Sequence, residues 1–284
     1  MEKVVDKEYS FHELFEQFAD IKKSGGRNIK GCLTKSSGDR YESHFRNYIQ
    51  PNFPDCPIHT IGGRKLQEFI DKVETTVINP NDAAKLLEFV WEHREDSIHA
   101  GYACMIFHIL FYFGFRRSEI LGLRKTDINL SQCYVDVKGK FDIEFQAWTS
   151  EVKNAGTKRK VYFDPAGDAA DVLKWMLNFS NKIRPDSNYL LAATRGNAPL
   201  SQFMFRKIMY ATYEFLGMAK IKWTKDKNSK KFTIISCAFK GCPSKTWRHL
   251  RAAQLIKDRA RLELSEDYIK RVMGHDLYST TRDI

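Results

Sequence analysis

Lys245-Thr246-Trp247-Arg248-His249, followed by Ser265-Glu266-Asp267-Tyr268-Ile269 and Val272-Met273-Gly274-His275, is the stretch on which the reading of this chain turns. Tyr268, Ile269, Val272 and Met273 recur at i, i+1, i+4 and i+5, the spacing of a helix packed on a core. Ser265, with the acids Glu266 and Asp267 behind it, marks the start of that helix, and Gly274 marks its stop. Serine caps the orphan amides of a helix start, acids suit its positive end, and glycine accepts the left-handed exit. His275 then stands just past a helix end, held by structure yet able to face a ligand. An arginine and a histidine assembled in this way can grip and protonate a phosphate. A basic surface helix followed by a core histidine accounts for the same residues equally well.

Working outward, Met105 to Phe113 is apolar nearly all round, as a helix at the centre of a core requires. It runs into Gly114-Phe115-Arg116-Arg117-Ser118-Glu119-Ile120-Leu121-Gly122-Leu123-Arg124. An arginine directly after a buried helix has its backbone fixed by the core, so its planar fork can be preorganised for a phosphate. Tyr134 to Val137 and Phe141 to Phe145 are rich in β formers, with Lys138-Gly139-Lys140 expected to turn between them, and Lys160 to Phe163 reads as a third strand. Lys153 to Arg159 becomes a basic hairpin loop. Asp164-Pro165 is expected to cap a helix with Ala169, Val172, Leu173, Met176 and Leu177 on its buried face. Between Lys220 and Cys237, β-leaning ends flank Lys225-Asp226-Lys227-Asn228-Ser229-Lys230-Lys231, an inserted basic hairpin.

Nearer the N-terminus, Ser10 and Glu13 form a capping box ahead of Leu14, Phe15, Phe18 and Ile21, and Gly25-Gly26 ends that first helix. A second helix runs from about Ser37 with Tyr41, Phe45, Tyr48 and Ile49 on one face and stops near Pro51; a third, Arg64 to Val73, buries Leu66, Phe69, Ile70 and Val73. Lys22, Lys23, Arg27, Lys30, Lys35, Arg40 and Arg46 lie along this segment. They are candidate nucleic-acid contacts, with solvated helix faces as the plain alternative. Thr76 to Asn81 lacks periodicity and holds Asn79-Pro80-Asn81, a turn signal that also caps an amphipathic helix over Ala83 to Glu92. The expected organisation is a helical domain over 1–76, a linker over 77–81 and a larger domain over 82–284, mainly α with a small antiparallel β-sheet.

Lysine and arginine outnumber aspartate and glutamate by 46 to 35, a formal charge of +11 that favours a polyanionic partner, nucleic acid first. No apolar run reaches the ~18 residues of a spanning helix and no signal segment opens the chain, so a membrane is not the expected partner and the cytoplasm or chromosome is the expected place. Six cysteines are too scattered for a disulfide framework. Cys237, Cys242 and His249 lack zinc-ligand spacing, so neither metal nor essential disulfide is expected.

In this order the pieces resemble the tyrosine recombinase or phage integrase family over most of the chain. Gly114-Phe115-Arg116-Arg117-Ser118-Glu119 fits that family's first arginine motif; Lys153, in the hairpin loop before a basic strand, fits its lysine; Lys245 and Arg248 take the places of the residue pair around its second arginine; Gly274-His275 and Thr280-Thr281 fit its last motif. The resemblance implies a helical core-binding domain and a catalytic domain that close on duplex DNA, as a homo-tetramer, without any cofactor. It implies that a tyrosine hydroxyl attacks the scissile phosphate and leaves a 3′-phosphotyrosyl link. Arg116 and Arg248 would bind the phosphate oxygens, Lys153 would protonate the leaving oxygen, and Lys245 and His275 would add hydrogen bonds. Lys158 and Arg159, closing the basic loop, join the candidate DNA contacts.

Two departures from the pattern stand out. Lys245 occupies a place where histidine is commoner. The family's nucleophilic tyrosine falls nine or ten residues after the histidine, and nine residues after His275 is Ile284, the last residue given. The nucleophile is therefore expected just after Ile284, with Tyr278 as the less favoured alternative, and the 284-residue chain is expected to form no covalent adduct. The rival reading is a DNA-binding protein that keeps the fold and performs no chemistry.

Overall fold

The computed structural model describes residues 78–142, 144–150, 158–226, 229–238 and 243–274, together with isolated positions before residue 65. Two compact units divide the chain, Met1–Glu74 and Thr75–Ile284. In the first unit, Ser10 N donates to Glu13 Oε2 at 3.0 Å and Glu13 N donates to Ser10 Oγ at 3.1 Å, the reciprocal bonds of a capping box. Phe45 and Phe53 are buried and Arg46 is exposed. Lys22, Lys23, Arg27, Lys30, Lys35 and Arg40 lie outside the described residues.

The second unit is built from seven helices and seven short strands among the described residues. They run α1 Pro80–Glu92, α2 Ile98–Phe113, α3 Arg117–Gly122, β1 Ile128–Asn129, β2 Tyr134–Val137, β3 Lys140–Asp142, β4 Ala147–Thr149 and β5 Arg159–Tyr162. After these come α4 Asp168–Ile183, α5 Gln202–Phe215, β6 Ala219–Asp226, β7 Ser229–Cys237, α6 Pro243–Lys257 and α7 Glu266–Met273. The architecture is α+β, with helices providing the core. Helix α2 lies at the centre, where its apolar surface is covered by α1, α4, α5 and α6. At Gly101 a Cβ would come within 2.0 Å of the Phe179 ring, so α2 and α4 approach as closely as they do only through glycine. Trp247 of α6 is fully buried and donates from Nε1 to the Tyr213 hydroxyl at 2.7 Å, which satisfies its one polar atom inside the core.

Asn79 caps α1 by accepting from Asn81 N at 2.8 Å, and Pro80 opens the helix. Ile78 is only 1% exposed and belongs to the apolar core, so residues 78–81 are built into the second unit where a linker was expected. The strands differ from a simple meander. β2 pairs with β1 on one side and β5 on the other, whereas β3 and β4 form a separate hairpin with Phe141 opposite Trp148. Residues 138–140 therefore lead from one sheet to another, and the strand expected over 141–145 ends at Asp142, whose carboxylate accepts from Glu144 N and Phe145 N to make a turn. Asp164 likewise folds a turn, accepting from Ala166 N, while Gly167 is the residue that caps α4. Helix α5 was not anticipated from the sequence; β6 and β7 do form an antiparallel hairpin. No helix among the described residues is long and apolar enough to cross a membrane.

Candidate active site

The site begins where α2 stops. Gly114 takes the left-handed conformation at φ 60°, turning the chain so that Phe115 is buried and Arg116 starts α3. Glu119, three residues on, is 2% exposed and accepts from Arg116 N at 2.8 Å, closing the first turn of α3. The same carboxylate accepts from Arg116 Nη1 at 2.8 Å and from Arg159 Nη1 and Nη2 at 3.2 and 3.0 Å. Arg159 comes from β5, where it shares the inward face with Val161, and its guanidinium lies over the Phe115 ring at 5.3 Å. The start of α3 and strand β5 thus meet at one carboxylate.

The end of α7 supplies the second half of the frame. A helix leaves its last carbonyls without intrahelical partners and carries partial negative charge there. In α7 three consecutive carbonyls each accept from a different arginine. Val272 O accepts from Arg159 Nε at 2.8 Å, Met273 O from Arg248 Nη2, and Gly274 O from Arg116 Nη2 at 2.9 Å. Arg248, from α6, also donates through Nη1 to Gly114 O at 2.7 Å, so it ties the exit of α2 to the exit of α7. Gly274, at φ 60°, sits so tightly on this cluster that a Cβ would lie 2.8 Å from Arg159 Nη1 and 3.3 Å from Arg116 Nη1.

Electrostatics follow from the crowding. Burial alone would raise the Glu119 carboxyl, but the charge and hydrogen bonds of Arg159, with the charges of Arg116 and Arg248, hold it at about 2. Arg248 is pulled down to about 9, first by burial and then by Arg116, against the opposing pull of Glu119. It remains charged at neutral pH. Three guanidiniums around one carboxylate leave a local excess of positive charge. Arg116 brings it to the surface, its side chain 37% exposed, whereas Arg248 and Arg159 are 7% and 8% exposed.

Of the residues expected at the site, Arg116 and Arg248 are brought together on α7's last turn. Lys245 is exposed on the first turn of α6, three residues before Arg248 and so on a neighbouring part of the helix surface. Lys153 and His275 lie outside the described residues, as do Tyr278, Thr280 and Thr281. Lys158 is exposed and, with Lys138, Lys160, Trp148 and Ser150, lines a shallow depression of about 440 Å³. Arg159 departs from the expectation of a DNA contact, because its guanidinium is enclosed by Glu119, Phe115 and Val272. Period-two alternation in β5, with Lys160 and Tyr162 outward, is the signal that places it inside. Glu119 was part of the quoted motif, but its role as the shared acceptor was not read from it. No group of three His, Cys, Asp or Glu among the described residues could hold a metal ion.

No protein-family model and no curated protein matches the sequence. Solved structures do match the fold, and it is the fold of the tyrosine recombinases and integrases. The Tn1549 transposon integrase in complex with a circular-intermediate DNA superposes with a TM-score of 0.55 at 12% identity, over 97% of this chain and 94% of that one. The XerH site-specific recombinase bound to palindromic difH substrate, in a post-cleavage complex, gives 0.53 at 19% identity, over 95% of this chain and 67% of that one.

Proposed function

We propose that this chain is a site-specific DNA recombinase that cuts and rejoins duplex DNA through a 3′-phosphotyrosyl intermediate. The observation that carries the reading is the convergence of Arg116 and Arg248 on the exits of α2 and α7, with positive charge in excess of the one carboxylate, Glu119, that Arg116 and Arg159 bind. A phosphodiester carries one negative charge, and the pentacoordinate state formed during attack carries about two. The excess is therefore better matched to the transition state than to the bound substrate, which is the condition for acceleration. Because the guanidiniums are already held by Glu119 and by main-chain carbonyls, little reorganisation accompanies the reaction.

In the proposed step a tyrosine hydroxyl passes its proton to His275 as its oxygen bonds to phosphorus, the bond from phosphorus to the 5′ oxygen breaks, and that oxygen takes a proton from Lys153. Lys245 and His275 donate hydrogen bonds near the phosphate. The 5′ hydroxyl of another strand reverses the step, and the resemblance implies that this happens in a tetramer on DNA. The test is a pool of nicked duplexes with randomised cores, incubated with the chain alone or with hydrogen peroxide as an added nucleophile, then sequenced for cut strands. Cutting at a defined sequence in either arm, lost in Arg116→Ala, supports the reading. DNA binding without cutting in both arms would favour a binding protein that performs no chemistry.

A further inference from the structure

The β6–β7 ribbon has no part in the site described above. Its two faces are unlike. Ile221, Trp223, Phe232 and Ile234 alternate onto one face, where Phe232 packs against the rings of Phe203, Tyr210 and Trp223 and the guanidinium of Arg206 lies 5.5 Å from its centre. Glu214 of α5 accepts from Ile221 N at 2.8 Å, and Met218 O accepts from Ala238 N at 2.8 Å, pinning the base of the ribbon to the end of α5. The opposite face presents Lys220, Lys222 and Thr224 from β6 beside Thr233 and Ser236 from β7, all exposed, with exposed Ile235 at the bulge before Ser236. Among the described residues neither lysine makes an ion pair. The stretch Ala219 to Cys237 holds six lysines against a single acid, Asp226 at the far end of β6, so the ribbon as a whole is basic.

We propose that this outer face is a second DNA contact, a phosphate-binding ribbon that grips the duplex beside the arginine site. Position argues for it as well as charge. Only residues 238–242 separate the base of β7 from Pro243, where α6 begins, so that base lies within about 21 Å of the helix carrying Arg248. Eight residues of β6 extend roughly 26 Å from there, comparable to one turn of duplex at about 34 Å. Lysines and hydroxyls spaced along a strand are the donors that phosphate oxygens take, and they fix register without reading bases. The inference rests on the DNA reading and adds to it a surface outside the cluster of arginines.

The test is fluorescence anisotropy of a mixed-sequence DNA duplex, titrated over a range of salt with the full chain and with the double variant Lys220→Gln/Lys222→Gln. Both side chains are exposed, so the variant keeps the melting temperature of the parent. Losing two phosphate contacts lowers the slope of log affinity against log salt by roughly 2 and weakens binding at least about tenfold at ~0.1 M salt. A parent that binds with a steep slope and a variant with the same slope and affinity would overturn the ribbon contact while leaving the DNA reading intact. A parent without salt-sensitive duplex binding would overturn both. A variant with unchanged DNA binding but altered self-association in sedimentation would assign the face to a second copy of the chain, against this proposal.

Discussion

Glu119 is the residue on which the arginine cluster balances. Its carboxyl is held at about 2, below the ordinary 4.5, so the unfolded chain takes up a proton between those values and the folded one does not. The stabilisation it provides is complete above about pH 4.5 and is lost as pH falls through about 2, amounting to roughly 3 kcal/mol. Urea unfolding followed from pH 5 to pH 2 should show that loss, and Glu119→Gln should flatten it while lowering stability at neutral pH by about 3 kcal/mol or more, since three guanidiniums then share no anion. An unchanged acid limb in the variant would mean that other carboxylates carry it. The arginines were legible from sequence because Gly114 to Glu119 and Lys245 to Arg248 are local patterns. Glu119 and Arg159 were not, because what they do depends on β5 and α7 arriving from residues far along the chain.

At the scale of the element, α7 does more than fill the core. Its start is set by Ser265, which accepts from Tyr268 N at 3.1 Å, and its end by Gly274, both plain in the sequence because capping is chemistry within a few residues. What could not be read was that three arginines would cap its last carbonyls. Ser265→Ala should cost about 1 kcal/mol through the lost cap and leave strand cutting at the arginines intact. Gly274→Ala meets both a left-handed backbone and Arg159 Nη1, so it should cost at least about 1 kcal/mol and also lower strand cutting by displacing the guanidiniums. Thermal melting and strand-cutting assays of the two variants separate these effects; equal behaviour would show that α7's exit does not organise the site. The strands were the poorest reading. β formers were recognised, but the pairing of β2 with β5 spans a long stretch of chain, and register across such a gap is fixed by packing rather than by the intervening turn. Helix α5, which was not anticipated, carries a local signal of the same kind as α7, since Phe205, Ile208, Met209, Thr212 and Tyr213 recur at helical spacing on its buried face.

For the molecule as a whole, the formal charge of +11 favours a polyanion, in keeping with the duplex DNA proposed as its partner. Duplex affinity should fall steeply as salt rises, since each neutralised phosphate releases close to one counterion; a flat response would leave the charge without a role in binding. The chain divides between Glu74 and Thr75, and Ile78 lies in the core of the larger unit. The central claim is that the cluster held by Glu119 and the end of α7 acts on a phosphate as it reacts. Arg116 tests this best, because it reaches the surface and its loss disturbs the core less than that of buried Arg248. The measurement is strand cutting by Arg116→Ala, with hydrogen peroxide as the added nucleophile, on the sequence selected by the parent protein under the same conditions, set beside the duplex affinity of the same variant. The account predicts cutting reduced by roughly 10²-fold or more with affinity changed far less; equal losses of the two would make Arg116 an ordinary phosphate anchor and contradict it.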